Sequence, residues 1–92
     1  MPPDFAKFAA LHETWVRNLR DFLNMEVELG ITFASLAEYY RKNGDAEHYE
    51  TSKNNALTAL GAVNHFKDRL PRDLKAEIET GRSKLAELIS AL

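Results

Sequence analysis

Glu26 and Arg82 are the two side chains in this sequence that could form a buried polar site. Glu26 lies between Phe22 and Leu29 in an apolar helical repeat, where an isolated carboxylate would either cost several kcal/mol or take up a proton. Counting residues through two helical hairpins places Arg82 on the third helix at the same height along the bundle as Glu26. We predict an ion pair between them, which is either a salt bridge that sets helix register or part of a mid-bundle pocket.

The three histidines raise the questions of metal binding and phosphoryl transfer. None of His12, His48 and His65 has a glutamate three residues before it, as the di-iron sites of helical bundles require. Asp45 precedes His48 at that spacing but is better suited to capping a helix. Histidine-phosphotransfer domains place a lysine three residues after the histidine, whereas Lys67 follows His65 by two. We therefore expect His65 to be a surface histidine, and we expect no metal and no cofactor.

Other catalytic patterns are also missing from the sequence. There is no cysteine, which excludes disulfides, thiolate nucleophiles and cysteine-bound metals. The four glycines are single and widely spaced, so they form no phosphate-binding loop, and no Ser-His-Asp order is present. We predict that the protein is not an enzyme.

Charge and hydropathy limit the partners. The 12 basic and 14 acidic residues give a net charge of −2, and their signs alternate along the chain. Nucleic-acid binding needs clustered Lys and Arg, so we expect none. The N-terminus has no basic region followed by an apolar run, and no apolar stretch approaches the roughly 18 residues that span a bilayer. We expect a cytoplasmic protein without a membrane partner.

A seven-residue apolar repeat dominates the first half of the chain, with steps that alternate between three and four residues. Nine of its eleven positions are apolar, which predicts the core-facing side of a long helix. The positions are Phe5, Phe8, His12, Trp15, Leu19, Phe22, Glu26, Leu29, Phe33, Leu36 and Tyr40.

Helix-terminating and helix-capping residues divide the second half of the chain into two more helices. Gly44 suits the left-handed end of the first helix, Asp45 can cap the second, and Pro71 suits the start of a third. The sequence thus predicts an all-α fold with three long antiparallel amphipathic helices at about 4–42, 46–70 and 72–91. They form a single helical-bundle domain over 1–92, in which Gly30 and Gly81 allow close approach of backbones.

The predicted helices differ in length. At 1.5 Å per residue the first spans about 58 Å and the second about 37 Å, so roughly 20 Å of the first has no partner in the chain. Either the first helix breaks near residues 12–14, with Thr14 as a cap, or a second chain covers the overhang. We favour an unbroken helix and a homodimer. The predicted interaction face is Phe5, Phe8, Leu11 and Trp15.

The middle of the chain resembles a tetratricopeptide-type helical hairpin. The resemblance rests on Leu29-Gly30 with Phe33 three residues on, the Gly44-Asp45 turn, an Ala-rich second helix and the closing Pro71. It covers Glu28 to Pro71, about half the chain, and small uncharacterised bacterial helical proteins also look like this. A single unit lacks the concave groove of a repeat array, so the resemblance implies a fold and a general interaction role.

Together these features predict a protein-protein interaction or scaffolding module that associates with itself. The alternative is a small-ligand-binding or regulatory helical protein that uses a polar site around Glu26 and Arg82.

Overall fold

Three α-helices form the protein, and the computed structural model describes residues 3–92. The helices are α1 (Pro3–Lys42), α2 (Ala46–Phe66) and α3 (Arg72–Ser90), with one 3-10 turn at Lys67–Arg69 between α2 and α3. The molecule measures 63 Å along its longest axis and 20 and 15 Å across. The predicted all-α fold is confirmed, except that the second helix ends at Phe66, four residues earlier than expected.

The first helix is unbroken. Between Asp4 and Leu29 the sequence contains no Pro or Gly that could kink it. The Thr14 hydroxyl donates a hydrogen bond to the Ala10 carbonyl at 3.0 Å, which is the bond of a threonine inside a continuous helix. The alternative in which the chain breaks near 12–14 and Thr14 caps a new helix is therefore wrong.

The turn between α1 and α2 follows the predicted chemistry. Gly44 adopts φ +72°, a left-handed conformation that favours glycine, and its N–H donates to the Arg41 carbonyl at 3.2 Å. The Asp45 carboxylate accepts a hydrogen bond from the His48 N–H at 3.1 Å and so caps α2. These two residues reverse the chain and place α2 antiparallel to α1.

The buried side of α1 is not the side that the apolar repeat predicted. None of the eleven positions of that repeat is buried; they are exposed or half-buried. The buried positions form a second series with the same steps and much smaller side chains. They are Leu23, Val27, Gly30, Ala34 and Ala37.

Small residues decide this orientation because the helices approach one another closely. A Cβ atom on Gly30 would lie 2.5 Å from Leu85 Cδ2 and 3.1 Å from Ala59 Cβ, so α1 meets both other helices at this point. A Cβ on Gly81 would lie 2.8 Å from Val27 Cγ1. The predicted roles of both glycines are thereby confirmed.

The buried faces of α2 and α3 complete the core. On α2 the buried positions are Ser52, Ala56, Ala59 and Val63, and on α3 they are Ile78 and Leu85. Leu70, in the connection between the two helices, packs with Leu23, Val63 and Ile78. The core is thus a thin layer along the shared length of the three helices.

We expect Gly30→Ala to lower the free energy of unfolding by about 1–3 kcal/mol, the typical cost of forcing an extra carbon into a packed core. Leu85, which the new methyl group would strike, is fully buried and has little room to move. Chemical denaturation with urea, followed by circular dichroism, measures the change.

Gly61→Ala is the matched control. Gly61 also lies inside a helix, but nothing stands within 4 Å of the position that its Cβ would occupy. Alanine should therefore stabilise the protein by about 0.5–1 kcal/mol through helix propensity alone. Equal effects of the two substitutions would contradict the close approach at Gly30.

Candidate interaction surface

The predicted interaction face lies on the first turns of α1, which reach the start of α3 where His12 and Val16 lie beside Pro71 and Leu74. Phe5, Phe8, Leu11 and Trp15 are 57%, 70%, 69% and 47% exposed. His12 stacks on Trp15 with ring centroids 6.1 Å apart, which is a contact within the helix and leaves the outer side of the indole open. The structure therefore places all four side chains together on the outside.

Large apolar side chains continue along the same side of α1 to its other end. We call the whole series the apolar stripe. It has ten positions with alternating steps of three and four residues, and eight of them are apolar. The stripe comprises Phe8, Leu11, Trp15, Asn18, Phe22, Met25, Leu29, Thr32, Leu36 and Tyr39.

Every position of the stripe is exposed, and its apolar members are between 39% and 70% exposed. At 100° per residue the stripe lies roughly 130° around the helix axis from the buried side of α1. The helix is therefore apolar on two sides, and only one of them is covered within the described chain.

The edge of the stripe is held by aromatic contacts with α2. Phe22 meets Phe66 edge to face with centroids 6.1 Å apart, and Tyr39 meets Tyr40 edge to face at 5.5 Å. Tyr40 in turn stacks on His48 at the start of α2, with a centroid distance of 5.0 Å. These contacts orient the stripe on a rigid scaffold.

The sequence pattern indicated this surface in part. Five stripe positions, namely Phe8, Trp15, Phe22, Leu29 and Leu36, also belong to the repeat that we interpreted as core. Of the other five, Leu11 belongs to the predicted interaction face, and four were missed, namely Asn18, Met25, Thr32 and Tyr39. They were missed because the repeat continued through His12, Leu19, Glu26, Phe33 and Tyr40, which lie at the boundary with α2 and α3. The signal that separates the two sides is the run of Gly and Ala at 30, 34 and 37, which indicates the closely packed side.

The predicted polar site at Glu26 and Arg82 does not form. Arg82 Nε donates to both carboxylate oxygens of Glu79 at 2.9 and 2.8 Å, and a second nitrogen of the guanidinium also contacts Glu79. Lys67 Nζ lies 3.4 Å from the same carboxylate. Glu26 is half-buried at the edge of α1 and takes part in none of the ion pairs of the described chain.

The guanidinium of Arg82 lowers the pKa of Glu79 from 4.5 to about 2, and the Lys67 ammonium adds to the effect. The carboxylate in turn raises the pKa of Arg82. Glu79 and Arg82 lie three residues apart on α3, and Lys67 lies in the 3-10 turn that follows α2. This cluster therefore joins the end of α2 to α3. Its position and pairing are those of a structural ion pair.

Among the residues that the structure describes, no three His, Asp or Glu side chains are grouped closely enough to hold a metal ion. In the same part of the chain, no helix combines the length and apolar character needed to cross a membrane.

Comparisons of this chain with protein-family models, with curated proteins and with solved structures find no match. The resemblance to a tetratricopeptide-type hairpin therefore stays a prediction.

Glu79→Gln tests the ion-pair cluster. The pKa of Glu79 is lower in the folded state than its ordinary 4.5, so its stabilising effect is present above that pH and is lost as the pH falls towards 2. The carboxylate is 41% exposed, which limits the contribution to about 1 kcal/mol or less. We expect Glu79→Gln to lower the free energy of unfolding by this amount at pH 7 and to have only a small effect at pH 2, where most of the stabilisation has been lost.

Urea denaturation between pH 2 and pH 7 measures the difference between the two proteins. Glu77→Gln is the matched control, because Glu77 lies exposed on the same helix outside the ion pairs of the described chain. A pH-independent difference for Glu79→Gln would contradict the assigned pairing.

Proposed function

We propose that this protein is a protein-protein interaction module that associates with itself through the apolar stripe of α1. The observation that carries the proposal is the exposure of eight large apolar side chains at ten successive heptad-spaced positions. From Phe8 to Tyr39 the stripe extends over about 47 Å of helix.

The size of the stripe supports a macromolecular partner. A large side chain at these exposures offers roughly 90 Å² on average, so the eight together offer roughly 700 Å² of apolar surface. Monomeric proteins rarely expose a contiguous apolar patch of more than a few hundred Å². Covering the stripe would remove an unfavourable contact with water along most of α1.

The shape of the stripe favours another helix as the partner. A straight row of side chains that repeats every 3.5 residues is the surface by which helices pack knobs into holes in coiled coils. The stripe lies along a convex helix surface and does not enclose a small molecule. Scaffolding by helix pairing fits this geometry. The alternative, a ligand site at Glu26 and Arg82, is less favoured because the Arg82 guanidinium pairs with Glu79.

Phe8→Ala should weaken self-association by roughly 10- to 30-fold. Covering the Phe8 side chain, which is 70% exposed, gains about 1 kcal/mol, and a homodimer of the variant loses this gain twice. Sedimentation velocity over a range of concentrations measures the dissociation constant. The emission of Trp15, the single tryptophan, should shift to shorter wavelength as the wild-type protein associates and covers the ring.

Leu57→Ala is the matched control. Leu57 is 43% exposed on α2, outside the stripe, and its removal should leave the dissociation constant within about twofold of the wild-type value. Circular dichroism should show unchanged helicity in both variants. A wild-type protein that stays monomeric at high concentration would refute self-association through the stripe.

A further inference from the structure

The order of side chains within the stripe points to both the identity and the direction of its partner. We propose that the stripe binds a second copy of this chain in antiparallel orientation, about a two-fold axis beside Leu23 and Asn24. This inference rests on the proposed function and adds the geometry of the dimer. Three observations carry it: the composition of the layers, the lengths of the helices and the area of the stripe.

The antiparallel pairing that covers the whole stripe gives layers of similar size. Each layer pairs one position of the stripe with another position of the second copy. The pairs are Phe8 with Tyr39, Leu11 with Leu36, Trp15 with Thr32, Asn18 with Leu29, and Phe22 with Met25. The largest side chain thus faces a small one, and neither polar residue faces the other.

Parallel pairing gives unequal layers. Each residue would face its own copy, so that a Trp15 pair would lie one layer from an Asn18 pair, and Thr32 would face Thr32. Closely packed interfaces alternate large and small side chains to fill space, and a layer of two large rings beside a layer of two small amides leaves gaps. Packing therefore favours the antiparallel direction.

The lengths of the helices agree with this direction. Contacts of Phe22 with Phe66 and of Tyr40 with His48 show that α2 lies beside the second half of α1. In the antiparallel register the part of α1 that α2 supports in the second copy, residues 22–40, comes to lie beside residues 7–25 of the first copy. Each N-terminal segment then packs on the supported half of the other copy's α1, whereas parallel pairing would join the two N-terminal segments to each other.

The area is sufficient for a stable dimer. The roughly 700 Å² of apolar surface that each stripe offers approaches the approximately 800 Å² that each partner buries in a standard interface.

The charged residues beside the stripe do not favour either direction. Asp21 would lie near Glu26 of the second copy in a parallel dimer and near Glu28 in an antiparallel one. Packing and length therefore carry the assignment.

Thiol cross-linking tests the direction, because the chain has no cysteine of its own. Asn18→Cys and Thr32→Cys each place one thiol in the stripe and leave all eight apolar side chains intact. In the antiparallel dimer Cys at 18 in one copy lies about 5 Å along the axis from Cys at 32 in the other, whereas two thiols at 18 lie about 16 Å apart. In a parallel dimer the two thiols at 18 share one layer.

The experiment mixes the two variants at a concentration where sedimentation shows dimer and treats them with a short thiol cross-linker. We expect a product that joins position 18 to position 32, identified by peptide mapping, at least tenfold more abundant than either self-linked product. Leu57→Cys, exposed outside the stripe, measures the background of random collisions.

The other outcomes are distinct. Self-linked Asn18→Cys as the main product would overturn the antiparallel direction and leave self-association through the stripe intact. A dimer that gives no product above the Leu57→Cys background would show that another surface mediates association, which overturns this inference and the stripe together. A monomer at all concentrations would overturn both the inference and the proposed function.

Discussion

The close approach of the three helices at Gly30 is the constraint on which the rest of the structure depends. There the backbone of α1 meets Leu85 of α3 and Ala59 of α2 with no room for a side chain. The space between helices at this separation admits only small side chains. Ala34, Ala37 and Ala56 extend the contact along the bundle. Gly81 against Val27 repeats the arrangement on α3.

This tight packing determines where the large apolar residues lie. From Gly30 to Ala37 the packed side of α1 leaves no space for large side chains, although Leu23 is fully buried nearer the start of the helix. The phenylalanine, tryptophan and leucine side chains of the apolar stripe lie on the far side of the helix. The apolar stripe is thus a direct consequence of how α2 and α3 pack on the small-residue side. One helix carries two apolar faces, of which the described residues 3–92 cover one, and this asymmetry is the basis of the proposed self-association.

The charged residues have a more local role. The Glu79 carboxylate binds Arg82 on the next turn of its own helix and Lys67 in the preceding 3-10 turn. These two cations lower the pKa of Glu79. Side chains three residues apart on a helix are neighbours on its surface, so Glu79 lies within reach of Arg82 however the other helices pack. This explains why Arg82 binds Glu79 and not Glu26, which stays half-buried at the edge of α1.

Heptad spacing and the punctuation at Gly44, Asp45 and Pro71 were enough to predict three helices, an unbroken α1 and a projecting N-terminal segment. These features depend on local propensities, which act within a few residues. Which side of α1 is buried depends on interhelical distance, which spacing alone does not determine when two apolar series share one helix. The tertiary structure decided it by packing Gly30 against Leu85, and so placed five positions of the predicted core repeat in the exposed apolar stripe that forms the candidate site.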